Sequence, residues 1–308
     1  IILILFILTF SNNFGQISQL LIVPNGRLHI VPFGSLSYEA VDDFNKPNWL
    51  IEKFAIAILP SLDTIIGYRK TDRGELNNLR FVGFGDPLIG QNYDSEKDLI
   101  SRGIIEDFDE IMQLSSLPET KKELELISSN FKASNIKLFL GESATEENVK
   151  RTDLRNFNVI AFATHAISTN INSSLDQPSL ILTPINEDYE QNDGILTAFD
   201  ISKLELEADL VLLSACETAN THAQKDQAYT GLSEAFFFAG AKAILATHWE
   251  VETNSAVEIT SGLVGNLSKN NDLSYSQALQ MSILDLIAKE EKFSHPYYWA
   301  PFIMVGNN

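Results

Sequence analysis

ADLVLLSACET, residues 208–218, carries the only cysteine of the chain, Cys216, just beyond the apolar run 210–213. A continuous Val/Leu run of this length, bounded by small and polar residues, is the pattern of a central parallel strand covered on both faces. Ligands of such sheets bind beyond the carboxyl ends of the strands, where Cys216 falls. A lone cysteine there is either a small buried apolar residue, the more frequent outcome, or a nucleophile. The rest of the chain has to decide between the two.

Working outward, residues 157–163 form a second apolar run, which ends in Thr164-His165-Ala166. A third, 243–246, delivers Thr247-His248-Trp249. Helical spacing of apolar residues marks 231–239, 255–267 and 276–288, before a last strand around 302–305. Upstream, Thr120 and Glu123 have the spacing of a capping box, opening a helix with Leu124, Ile127 and Phe131 on one face. Residues 136–140 and 179–183 predict short strands, and 145–155 an amphipathic helix. A short strand and a helical turn follow at 194–197 and 199–204. Strand and helix alternate, so the second half predicts a mostly parallel sheet flanked by helices on both faces.

The first half has more hairpin and less helix. Residues 20–36 predict two strands around Asn25-Gly26, the strongest short hairpin signal. Residues 54–59 and 79–84 predict further strands, and Ser61 caps a helix running through Tyr68. Gly83-Phe84-Gly85 lacks the third glycine of a dinucleotide fingerprint and predicts only a turn. Residues 91–116 are acidic and polar, as in a surface insertion or linker. No repeat with a period of 20–50 residues is present.

The 308 residues, 44% hydrophobic, suffice for a large core. With 41 acidic against 22 basic side chains the formal charge is −19, which opposes a phosphate-binding surface and argues against nucleic acid as a partner. One cysteine allows no internal disulfide and no Cys-based metal cage, consistent with a reducing, cytoplasmic setting. There is no HExxH, no phosphate loop and no GxSxG elbow, so neither a metal nor another cofactor is expected. Residues 1–10, IILILFILTF, are apolar but shorter than the roughly 20 residues a spanning helix needs. They are expected to adjoin an upstream region of a longer protein, with no membrane segment elsewhere.

His165 and Cys216 follow two central strands at the same end. If those strands are parallel neighbours, ~4.8 Å apart, the two groups meet across one cleft and the imidazole can activate the thiol. The other histidines are His29, within the expected hairpin; His222, in the polar loop after Cys216; His248, which ends the next strand and is the main rival; and His295, beside Pro296.

Together these segments resemble the CHAT-domain family of caspase-like cysteine proteases, related in fold to caspases and separase. The resemblance is carried in order by LIVPNGRLHIVPFGSL, LPETKKELELI, FATHA around His165, LVLLSACETA around Cys216, GLSEAFFFAGAKAILATHWEVE and HPYYWAPFIMVG. It implies a caspase-like α/β fold in two halves: a non-catalytic one over about residues 20–118 and a catalytic one over 119–308, with 1–19 left as a linker. It implies a cysteine endopeptidase acting on a protein or peptide substrate, with His165 as base and acid and Cys216 as nucleophile. The oxyanion would be held by the backbone N–H groups of Ala166 and Cys216. It also implies control by an upstream helical-repeat region.

Two departures from the family pattern flank the dyad. Ala166 stands where glycine is usual; it keeps the N–H but adds a methyl group. His248-Trp249-Glu250-Val251-Glu252-Thr253 replaces the usual Leu-Trp and trailing Asp residues. That segment resembles a wall of the substrate pocket, so Trp249, Glu250 and Glu252 are candidate pocket residues that would favour a basic side chain before the scissile bond. The alternatives are a catalytically silent caspase-like scaffold or an acyltransferase using the same dyad.

Overall fold

The structure, a computed structural model, describes residues 17–39, 48–60, 75–89, 114–167, 177–185, 192–214, 216–217, 226–249 and 251–306. Eight of its strands form one sheet. In spatial order they are β1 (Gln19–Ile22), β2 (Ala55–Ile58), β12 (Phe302–Gly306), β11 (Ala243–Thr247), β9 (Leu210–Leu213), β5 (Val159–Ala163), β3 (Phe81–Gly85) and β4 (Ile136–Leu140). Neighbours run parallel except β11 and β12. β3, from before residue 118, lies between β4 and β5, from after it. A smaller sheet has the order β10 (Cys216–Glu217), β6 (His165–Ile167), β7 (Ser179–Ile181), β8 (Ile195–Thr197).

The unbroken apolar runs arise because the central strands feed two cores. Val159, Ala161, Leu210, Leu212, Leu245 and Met304 face one side. There they meet Leu124 of α2 (Pro118–Ser128), Ile259 and Leu263 of α6 (Thr253–Lys269), and Leu279 of α7 (Tyr275–Lys289). The alternating residues Ile160, Phe162, Val211, Leu213 and Ile244 face the other. They pack with Val149 of α3 (Glu146–Arg151), Ile201 of α4 (Ala198–Ser202) and Phe236 of α5 (Asp226–Ala239). Each of the Val, Leu, Ile, Phe and Met side chains among them, fully buried, contributes roughly 1.5–3 kcal/mol before entropy is counted. α1 (Leu50–Lys53) is a single turn before β2. The mostly parallel α/β architecture with helices on both faces is the one expected.

Three local expectations differ from the structure, the first two for identifiable reasons. Residues 20–36 are not a hairpin. A type I′ turn needs positive φ at both central residues, and Asn25 is extended at −135° although Gly26 is at +55°. Pro24 and Pro32 also lack the N–H a ladder needs. The segment forms two 3-10 turns, Gly26–Ile30 and Phe33–Ser35, and β1 instead pairs in parallel with β2.

The capping box is absent as well. Pro118, its φ preset for the first helical position, starts α2 three residues earlier, with Leu117 and not Thr120 as the N-cap. The Thr120 hydroxyl then donates to Leu117 O at 2.6 Å, and Glu123 turns into the core. α5 begins at Asp226, five residues ahead of the apolar stripe that announced it. The helix expected at 61–68 and most of the acidic segment 91–116 lie outside the described residues.

Candidate active site

The central pair β5–β9 dictates the site. Its ladder matches Phe162 with Leu213, an offset of 51 (213 − 162). Both chains then leave the large sheet, after Ala163 and Leu213, and pair again as β6 and β10. There His165 is matched with Cys216, again an offset of 51 (216 − 165), and Ala166 with Glu217. The parallel register of the core is therefore carried unbroken into the small sheet. It makes His165 and Cys216 lateral partners, at the ~4.8 Å spacing of adjacent strands. Phe162, stacked on Phe84 at 5.1 Å and tilted by 46° against Phe236 at 5.5 Å, anchors the strand three residues before the histidine.

His165 is 1% exposed, and its Nε2 lies 2.8 Å from the Ser115 carbonyl oxygen. A carbonyl can only accept, so Nε2 carries the proton, and in the neutral ring Nδ1 holds the basic lone pair. Ser115 lies near the end of the segment, 91–116, that looked like a surface insertion or linker. Its neighbour Leu114 packs on Ile89, Ile181 and Ile195, which holds that carbonyl over the small sheet. The hydroxyl of Thr164, buried between the two sheets, donates to Ile181 O and fastens the turn into His165.

Ala166 lies in β6, buried in the second core. Among the described non-glycine residues only Asp86 has a positive φ, so the Ala166 methyl meets no glycine-only backbone angle. His248 follows β11, the neighbour of β9 on the side away from β5. Its N–H donates to Pro301 O at 3.0 Å, and its ring lies near-parallel to that of Trp249 with centroids 6.2 Å apart. Burial pushes the His248 pKa down to about 4, so the ring is neutral at physiological pH. Trp249 is half-buried against the first core. His295 caps a 3-10 turn, accepting at Nδ1 from Tyr297 N–H. His29 lies in the first 3-10 turn; His222 and Glu250 are outside the described residues.

Glu252 is the N-cap of α6. Its carboxylate accepts from Ser255 N–H and Ser255 Oγ, both at 2.9 Å, and from the Asn254 amide at 2.6 Å. Burial raises its proton affinity, but these bonds outweigh it and hold the carboxyl below its ordinary pKa. A depressed folded-state value means the cap contributes stability above the unfolded pKa and loses it as pH falls through the folded one. Glu252→Ala is therefore expected to cost about 1 kcal/mol at pH 7, with the difference from the parent protein shrinking below about pH 4.5. Urea denaturation of both proteins at pH 7 and pH 3.5 checks this; an equal difference at both would contradict it.

Among the described residues no group of three or more His, Cys, Asp and Glu side chains is arranged to hold a metal, and no helix is long and apolar enough to cross a membrane.

The CHAT domain family model matches residues 7–307, and the chain belongs to that family. Tetratricopeptide repeat protein 28 of Homo sapiens is 22% identical over 326 residues, covering 97% of this chain and 12% of that protein. The Mus musculus protein of the same name is 23% identical over 338 residues, again 97% of this chain. The chain thus spans 12% of the length of these curated relatives. Among solved structures, Saccharomyces cerevisiae separase in complex with securin is similar over 94% of this chain and 15% of the other, with TM-score 0.51 and 13% identity. The Arg-specific cysteine proteinase gingipain R is similar over 98% of this chain and 66% of the other, with TM-score 0.54 and 10% identity. The fold is caspase-like.

Proposed function

We propose that the chain is a cysteine endopeptidase, acting on a protein partner through His165 and Cys216. The observation that carries the reading is the continuous β5–β9 register, which makes these two residues partners beyond the carboxyl ends of the central strands. The thiol proton passes to Nδ1 of His165, whose Nε2–H is held by Ser115 O. The thiolate adds to the scissile carbonyl carbon, and the oxyanion is met by the N–H groups of Ala166 and Cys216. The imidazolium then protonates the departing amine, leaving a thioester. Water, losing its proton to the same nitrogen, releases the acid and restores the thiol.

The catalytic machinery belongs to the half from residue 119, to whose sheet β3 is the first half's inner contribution. Trp249 would line the pocket for the residue before the scissile bond. With the Glu252 oxygens taken up by the helix cap, a preference for a basic residue there rests on Glu250. The tetratricopeptide-repeat name of the relatives supports control by an upstream helical-repeat region. It also supports a second reading, a catalytically silent interaction module.

A peptide-library digest with the parent protein, read as new amino termini by mass spectrometry, tests the proposal. Cleavage after one preferred residue class is expected. No cleavage of any peptide, together with an ordinary unactivated Cys216 thiol, would leave the scaffold reading standing.

A further inference from the structure

Behind the nucleophile's strand lies a carboxyl group that the reaction above does not use. Glu123 of α2 is 2% exposed. Its Oε2 is 3.0 Å from Ser214 Oγ, and Ser214 directly follows β9, two residues before Cys216. Its Oε1 is 2.8 Å from Thr260 Oγ1 of α6. Thr260 Oγ1 is also 2.8 Å from the carbonyl oxygen of Ala256.

Only one protonation state satisfies these three contacts together. Three contacts need three donors. The Ala256 carbonyl only accepts, so closing that contact takes the one Thr260 proton. The Ser214 proton goes to Glu123 Oε2. The third contact then closes only if Glu123 is itself protonated and donates from Oε1 to Thr260. An ionised Glu123 would leave two protons for three contacts in a site with no water-like screening, which is costly.

We propose that Glu123 is a positioning residue for Cys216: a neutral carboxylic acid that clamps the Ser214 turn to α2 and α6 and so fixes where the nucleophile's strand leaves the sheet. This rests on Cys216 being the nucleophile. The backbone supports the same placement, since Ser214 N–H still donates to Phe162 O at 2.9 Å in the β5–β9 ladder. The surroundings are uncharged. β3, β5 and β9, against which α2 packs or toward which Glu123 reaches, contain no ionisable side chain. The ionisable residues of the helices and of β4 (Glu119, Lys121, Lys122, Glu125, Lys137, Glu258 and Lys269) are exposed. Burial raises the Glu123 pKa to about 7; once the carboxyl ionises, the Thr260 and Ser214 hydroxyls can both donate to it, which opposes that rise more weakly.

Cys216 is the only cysteine, so its alkylation by iodoacetamide reports on this clamp directly. The rate is to be followed from pH 5 to 9 in the parent protein, Glu123→Leu, Glu123→Gln and Ser214→Ala, each checked for folding by circular dichroism. At pH 6, Glu123→Leu and Ser214→Ala are expected to slow alkylation roughly tenfold or more through misplacement of the thiol. Glu123→Gln, neutral and able both to donate and to accept, is expected to recover that loss. Above pH 7, where the native carboxyl ionises, Glu123→Gln should overtake the parent protein by several-fold.

Parent-like rates in Ser214→Ala and Glu123→Leu would overturn the clamp, and Ser214→Ala decides alone if Glu123→Leu does not fold. A Glu123→Gln variant as slow as Glu123→Leu would overturn the neutral acid. These failures are distinct from failure of the underlying reading, in which the parent thiol itself titrates near the free value of about 8.5, and which would take the clamp with it.

Discussion

Cys216→Ala is expected to reduce peptide hydrolysis to background, a loss on the order of 10⁴-fold or more, as when the attacking atom of an acyl-transfer enzyme is removed. With a single cysteine in the chain, no second thiol can take over. The fold should survive, because the β6–β10 pairing is a backbone ladder and the cores on both faces of the sheet are built from other residues. Melting temperature, peptide affinity and hydrolysis rate measured on one preparation separate these effects. Unchanged binding and stability with no turnover is the predicted pattern; turnover at the parent rate would remove Cys216 from the chemistry.

His165→Ala is expected to slow the same reaction by about 10²–10⁴-fold, the usual worth of a positioned acid–base group. In the proposed cycle the neutral imidazole accepts the thiol proton and its protonated form delivers a proton to the leaving amine, so both halves would be affected. The loss should fall on kcat more than on KM, as expected for a group whose proposed role is proton transfer. The same substitution at His248 is expected to retain most of the activity. That ring ends the strand on the other flank of β9, and burial keeps it neutral with a pKa of about 4. If His248→Ala proved the more damaging of the two, the assignment of the base would have to move to β11.

The runs at 157–163 and 210–213 were legible because both faces of each strand are covered, which leaves no polar alternation to blur them. Their adjacency was only a condition in the sequence; the β5–β9 ladder supplies it, and the offset of 51 then fixes what stands beside His165. Other features had no sequence signature. Ser115 contributes a backbone carbonyl, which any residue there would supply. Glu123 matched a surface pattern, Thr-x-x-Glu, and only the earlier helix start at Pro118 and the packing of α2 on α6 turned its side chain inward. Asn25-Gly26 was outweighed by two prolines and by the parallel pairing of β1 with β2.

The most direct test of the His165–Cys216 pair is the pH–rate profile of Cys216 alkylation in the parent protein against His165→Ala. An imidazole partner predicts rapid alkylation well below pH 8.5 in the parent, and a shift toward the free-thiol value of about 8.5 when His165 is removed. Superimposable profiles in the two proteins would contradict it.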